Sequence, residues 1–311
     1  MIQIFGRKTD PHVKSVTNIL DSNGLFFRVF DIFDPKSDGI QATICNGVDI
    51  EFCEATAHPM PSVVWWRQKP PFLVASNSAV DYYDQQFAFR EWLPALDYLS
   101  MLYEDSRWIN RRSANTLASN KIHQLSVATH VGFKIPKTLF SNNAKAVMKF
   151  VSSFDGTHYI HKTIMPYVAP DRRQKYTSLI DRNLIESSLN ELEVCPGIFQ
   201  QHINPKFELR ITVVGNEFFA TKILKKNRSE PDWRREIFDD IYEPFDLDES
   251  FKRKLQELNE AFGLTYGAYD FIVDKNGDIF FIEVNPSGQW LWIEEKIGLP
   301  ISHAVAKLLS K

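Results

Sequence analysis

Glycine is scarce in this sequence, with 13 residues among 311, and neither G-x-G-x-x-G nor G-x-x-x-x-G-K-[ST] occurs. The commonest backbone cradles for phosphate are therefore excluded, and a nucleotide would have to meet its positive charge in side chains. The three cysteines, Cys45, Cys53 and Cys195, are odd in number and lack the C-x-x-C spacing of a zinc site, so a reduced interior is the simpler reading. Met1 to Asp10 has no apolar signal core, and no stretch approaches the roughly 18 apolar residues of a membrane span. A soluble cytoplasmic protein without membrane contact is expected. Charge of one sign is also lacking: 36 Lys plus Arg against 39 Asp plus Glu leave −3, which provides no global attraction to nucleic acid or anionic lipid. G-x-S-x-G is absent, no Ser-His-Asp or Cys-His nucleophile is evident, and no repeats or low-complexity tracts appear.

An apolar fraction of 44% is ample for a sizeable core. Ile2–Phe5, Pro11–Asn23 and Leu25–Phe33 read as β-α-β and predict a parallel sheet, with Gly24 closing the helix. Asn46-Gly47 sits between the apolar runs Ile40–Ile44 and Val48–Phe52 as a hairpin turn, and Val63–Trp66 is a further strand ended by Pro70-Pro71. Ser78–Glu104 has a helical pattern that Pro94 should interrupt. Arg111-Arg112 marks the first domain boundary. Beyond it, Ser119 and Asn120 cap a helix to Val131 with Lys121 near its start, stopped by Gly132. Ile135–Phe140 is extended, Asn142–Phe154 helical, and Asp155-Gly156 turns the chain into the strand Tyr159–Ile164, which carries Lys162.

Two hairpins fill the final third. Gly215-Asn216 joins Phe207–Val214 to Glu217–Ile223, and alternation puts Glu208 and Arg210 on one face. Asn276-Gly277 joins Ala268–Val273 to Ile279–Asn285. A two-residue loop there pairs Lys275 with Asp278 and Val273 with Phe280, so Asp270 falls opposite Glu283, with Asn285 on the same face. Like charges across a ladder destabilise it and call for a cation. Two carboxylates and an amide oxygen suit Mg²⁺, and lysines nearby suggest phosphoryl chemistry. The bland alternative is a solvated acidic sheet edge. Against it, Phe271, Phe280, Phe281 and Ile282 interleave with the acids.

These motifs stand in a recognisable order: Trp108-Ile109-Asn110, Ala118-Ser119-Asn120-Lys121 with Gln124-Leu125, Gly132 to Thr138, Cys195 to Ile203, Phe207-Glu208-Leu209-Arg210, and Phe281 to Pro286. From about Arg112 onward the chain resembles the ATP-grasp superfamily, most of all its microviridin-type (graspetide) peptide macrocyclases, which are similar to RimK-type ligases. The resemblance implies an α/β protein in three parts: an N-terminal α/β domain at 1–111, a central subdomain at 112–199 and a C-terminal subdomain with the metal site at 200–311, the last two clasping ATP. It implies that Lys121 and Lys162 hold ATP phosphates, that Gln200, Gln201, His202 and Ile203 form a hinge against adenine, and that Glu208 binds the ribose. Asp270, Glu283 and Asn285 would coordinate Mg²⁺, expected as two ions, and Arg210 would stabilise charge on the γ-phosphate and the forming acyl phosphate. The implied reaction activates a carboxylate as an acyl phosphate with release of ADP. An amine or hydroxyl then displaces phosphate to leave an amide or ester.

The resemblance further implies a ribosomally made precursor peptide with a leader segment as substrate, and allows a homodimer. RimK-like addition of amino acids or joining of small metabolites is the alternative, and a non-catalytic ATP-binding protein a more distant one. The sequence departs from many ATP-grasp proteins in having no glycine at Pro166–Tyr176, a basic segment that is either a lid over phosphate or a solvated loop. Arg234, in Asp232-Trp233-Arg234, could meet phosphate or a substrate carboxylate; a surface salt bridge reads as well. Glu191 and Glu193 form an acidic patch, an ordinary helix end in the simpler reading and a contact for a basic leader residue in the sharper one. His58, His123, His130 and His158 show no metal spacing.

Overall fold

The computed structural model describes residues 1–34, 41–44, 48–51, 60–67, 81–153, 158–164, 177–225 and 240–311. The turns at Asn46-Gly47 and Asp155-Gly156, Cys45, Cys53, His58, Pro70-Pro71, the basic segment Pro166–Tyr176 and Asp232–Arg234 lie outside the described residues. Contacts divide the chain into two compact units, one made of Met1–Asn115, Gly263–Tyr266 and Gln289–Lys311 and the other of Thr116–Phe262 and Gly267–Gly288.

The first unit begins with β1 (Ile2–Phe5), α1 (Pro11–Ser22) and β2 (Phe27–Phe30). The Asp10 carboxylate caps α1 by accepting from the His12 backbone N–H at 2.8 Å, and Pro11 takes the first helical turn, where its missing N–H costs nothing. Gly24, with φ of 68°, ends the helix as expected. The strands β3 (Gln41–Ile44) and β4 (Val48–Glu51) pair with Ile44 opposite Val48. Then come β5 (Val63–Trp66), α2 (Tyr82–Leu102), β6 (Arg107–Ile109) and α3 (Arg112–Ser119). The sheet order is β2-β1-β5-β6 and every pairing is parallel, as the β-α-β reading predicts.

Pro94 does not interrupt its helix: α2 runs unbroken through it. Leu96 and Leu99, just beyond the proline, are fully buried against Phe5, Val64, Trp66 and Trp108. Burying two leucines stabilises by about 1.5–3 kcal/mol each, enough to offset the ~3 kcal/mol that an interior proline costs. Arg112–Ser119, where the sequence pattern predicts no helix, forms α3.

The second unit opens with α4 (Lys121–His130), capped by Asn120, whose side chain accepts from the N–H groups of Ile122 and His123. Next follow β7 (Thr138–Ser141), α5 (Ala144–Val151), β8 (His158–Lys162), β9 (Ser178–Asp181), α6 (Arg182–Ser187), α7 (Leu189–Leu192) and β10 (Gly197–Gln201). An antiparallel sheet of order β7-β10-β8-β9 packs Tyr159 and Phe199 onto Val147, Val151 and Ile185. The chain continues through β11 (Pro205–Val214), β12 (Glu217–Leu224), β13 (Ile241–Pro244), α8 (Glu249–Phe262), β14 (Tyr266–Asp274) and β15 (Ile279–Asn285), which form a sheet of order β13-β12-β11-β14-β15. Phe133, Phe251, Phe271 and Phe281 cluster on it with ring centroids 5.3–6.5 Å apart. The last elements, α9 (Leu291–Ile297) and α10 (Ile301–Ser310), belong to the first unit, where α10 packs on α1 and the hydroxyls of Ser15 and Ser302 bond at 2.9 Å.

Candidate functional site

The candidate site grows from the β14–β15 hairpin. Its turn is longer by one residue than the two-residue loop read from Asn276-Gly277. Asp274 closes it, its carboxylate accepting from the N–H groups of Asn276 and Asp278, and Gly277 supplies a φ of 88°. Val273 therefore lies opposite Ile279, one residue away from the expected partner Phe280. A β-bulge between Asp270 and Phe271 then shifts the register back, with the outcome that Asp270 does stand opposite Glu283 and Ala268 opposite Asn285. The expected pairing is present, reached through two compensating irregularities.

Both acids are partly buried and both meet cations. Arg210, on β11, donates from Nη1 to both carboxylate oxygens of Asp270 at 2.9 Å. Lys121, at the first turn of α4, brings Nζ to 3.6 Å from Glu283. Lys162, on β8, is only 4% exposed. Burial lowers its ammonium to about 8, the pull of Glu283 raises it, Lys121 lowers it further and Asp270 raises it. Three cations on three elements thus converge on the two carboxylates. Among the described residues no group of three or more His, Cys, Asp or Glu is placed to hold a metal; the donor set here is two carboxylates and the Asn285 amide, whose Oδ1 accepts from the Ser287 N–H at 3.0 Å.

The remaining expected residues lie on neighbouring strands. Gln200 is buried in β10 with Nε2 donating to Thr138 Oγ1 at 2.8 Å, and the Gln201 N–H donates to the Lys137 carbonyl. His202 is exposed and Ile203 buried. Glu208 and Arg210 share one face of β11 as alternation requires, but that face is not open, since Arg210 is 3% exposed. Glu208 ion-pairs with Lys225 at 2.7 Å. Burial raises its carboxyl, and Lys225 opposes the rise.

Lys225 was not singled out in the sequence. The register had the signal, since Ile223 stands opposite Glu208 and Lys225 lies two residues beyond it on the same face. Gly288 is a second such residue: a Cβ there would come within 2.4 Å of Ala268 Cβ and 2.8 Å of Arg210 Nη2. Only a side chain of no size fits against the arginine.

Residues 118–309, well over half of the chain, match the RimK-like ATP-grasp domain family. The chain belongs to that family. The ATP-grasp fold extends over nearly the whole sequence. The chain is similar to a RiPP-associated ATP-grasp ligase of Chryseobacterium gregarium, solved in complex with ADP and a leader and core peptide, at 26% identity and a TM-score of 0.82 over 99% of this chain and 96% of that one. It is equally similar to the macrocyclase MdnC of Microcystis aeruginosa MRC, bound with precursor peptide MdnA, at 26% identity and a TM-score of 0.81 over 100% and 99%. The VanG D-Ala:D-Ser ligase of Enterococcus faecalis shares the ATP-grasp fold at 13% identity and a TM-score of 0.59 over 99% and 98%. No curated protein matches the sequence. Every site residue named above falls inside the part that matches the ATP-grasp family.

Proposed function

We propose that this ATP-grasp protein is an ADP-forming ligase that cross-links side chains of a ribosomally made precursor peptide through ω-amide or ω-ester bonds. The observation that carries the reading is the convergence of Lys121, Lys162 and Arg210 on Asp270 and Glu283. Its support in kind comes from the two relatives at 26% identity, both solved with peptides.

In this reading Lys121 and Lys162 hold phosphate oxygens, and their charges stand where other folds use a glycine-rich loop. Glu208 accepts from ribose hydroxyls in place of Lys225, and Gln200–Ile203 line the adenine edge. Arg210, nearly buried and held by Nη1 against both oxygens of Asp270, is preorganised to stabilise charge developing as a carboxylate attacks the γ-phosphate. Asp270, Glu283 and Asn285 fit Mg²⁺ by donor type, all three being hard oxygen donors, and two ions there would offset phosphate charge. The three-part division at 111/112 and 199/200, a homodimer and a cytoplasmic setting belong to the same proposal. The exposed free thiol of Cys195 suits a reducing compartment, and among the described residues no helix is long and apolar enough to cross a membrane.

The test is Glu283→Gln, with ADP release measured in the presence of Mg²⁺ and precursor peptide. A fall of about 10²-fold is expected, in line with the loss of one preorganised charge contact; undiminished turnover would remove Glu283 from the metal set. Mass spectrometry of the product decides the reaction class. Loss of water from a single peptide is the expected result, and gain of an amino-acid residue would replace cross-linking with RimK-like addition.

A further inference from the structure

The lysine helix and the metal-ligand strand are joined by one side chain that has no role in the reaction as described above. Gln124 is on α4, three residues after Lys121 and hence on the same helix face, and is 2% exposed. Its Nε2 donates to the Val284 carbonyl at 2.9 Å, and its Oε1 accepts from the Val284 N–H at 3.1 Å. The same Nε2 also donates to the Ala118 carbonyl at the end of α3. Val284 is the residue between Glu283 and Asn285, and β15 is the last strand of its sheet. The carboxamide therefore does what an additional strand would do, pairing both backbone groups of one edge residue. The Lys121 N–H donates to the Ile164 carbonyl, just beyond Lys162, so α4 is also tied to the strand that carries the second lysine.

From this geometry we propose that Gln124 is a positioning residue for the metal site: it sets the height of Glu283 and Asn285 against Lys121 by gripping the backbone between them. The inference rests on the assignment of Glu283 and Asn285 as Mg²⁺ ligands. A glutamine that merely covered a sheet edge could grip any residue of β15. This one holds the residue whose two neighbours carry the ligands, from the helix whose first turn carries the phosphate lysine. Groups that orient ligands in this way typically change metal affinity about 10–100-fold when removed.

The test measures metal binding directly, with Mn²⁺ as the probe in the presence of ADP and free Mn²⁺ followed by electron paramagnetic resonance. Gln124→Met keeps the side-chain length and removes both hydrogen bonds. It is expected to weaken Mn²⁺ binding about ten-fold, with the metal-free protein still folded. Glu283→Gln is run beside it. If Glu283→Gln loses Mn²⁺ and Gln124→Met binds it like the unsubstituted protein, the positioning role is overturned and the metal assignment stands. If both bind Mn²⁺ undiminished, the metal assignment itself fails. Should Gln124→Met not fold, the unsubstituted protein decides. By linkage, metal that profits from the grip must strengthen it, so Mn²⁺ with ADP is expected to slow hydrogen exchange at the Val284 amide by about the same ten-fold factor. Unchanged exchange at Val284 on metal loading would overturn the proposal.

Discussion

Two buried charges, Asp10 in the first unit and Lys162 in the second, are handled in opposite ways. In the first, Asp10, His12 and Arg67 form a buried set of opposite charges. The Asp10 carboxylate accepts from the His12 backbone and lies 3.1 Å from His12 Nδ1 and 3.5 Å from Arg67 Nε, while His12 Nε2 accepts from the Trp290 N–H and the Arg67 guanidinium stands over the Trp290 ring. Burial by itself would raise the Asp10 carboxyl; the His12 hydrogen bonds and Arg67 outweigh it and hold the group well below the usual carboxylate range. In the second unit Lys162 is as deeply buried, yet its ammonium is pushed down to about 8, and a like charge, Lys121, adds to the push. Charge that serves the fold is satisfied by its neighbours. The Lys162 charge is held at a cost to stability, as its proposed role toward phosphate requires.

The largest break in this contrast is expected at Arg210→Lys. The ammonium keeps the charge but lacks the planar guanidinium that holds Nη1 against both oxygens of Asp270, so kcat should fall by about 10²–10³ while the melting temperature moves little. A loss of stability without loss of turnover per folded molecule would reverse the assignment. Next is Asp10→Asn, which leaves Arg67 buried without its anion. Denaturant unfolding should show about 3–5 kcal/mol of lost stability, with ADP release per folded molecule retained. The sign of its pH dependence follows from the depressed carboxyl: the stabilisation is fully present above the unfolded carboxylate's pKa and is lost as the pH falls below it. In the substituted protein that acid limb should flatten.

Gly288→Ala comes third. Its Cβ would press on Ala268 and Arg210, and about 1–3 kcal/mol of overpacking strain should appear together with a reduced kcat; an unchanged kcat would show that Arg210 has room to move. The smallest of the three stability changes is at Lys162→Met, where removing a buried ammonium is expected to raise the melting temperature by roughly 2–4 °C, about 1 kcal/mol, while ADP release falls as well. Here the pH slope has the same sign as for Asp10, because both folded groups titrate below their unfolded counterparts, and only the window differs. The folded ammonium titrates near 8 and the unfolded one near 10.5, so stability should rise across that window in the unsubstituted protein and stay flat in the variant. A destabilised Lys162→Met would mean that Glu283 and Asp270 need this lysine for the fold.

The parts of the fold legible in the sequence were those set by local chemistry. Gly24 and Gly132 end helices with positive φ, Asn120 caps α4, and Gly215 turns the β11–β12 hairpin in the expected register. The pairing of Asp270 with Glu283 was also legible, for an incomplete reason, since neither the longer turn nor the bulge has a signature that alternation alone can detect. Pro94 misled because packing of Leu96 and Leu99 overrides a local penalty. A reading along the chain keeps Gln289–Lys311 with the preceding hairpin, whereas contacts group it with residues 1–115; a hydrogen bond from the Trp290 N–H to His12, 278 residues away, leaves no trace in local pattern. Lys225 was missed for a simpler reason: its partner Glu208 was read toward a ligand and not toward its own sheet.

The return of Gln289–Lys311 also has a consequence for synthesis. The core around α1 gains α10 only after residues 289–311 have emerged from the ribosome, whereas the second unit, up to Gly288, precedes them in the chain. Elongation proceeds at ~5–20 residues per second and domains fold as units during it. The sheets of the second unit are thus able to form before the first unit has all of its helices.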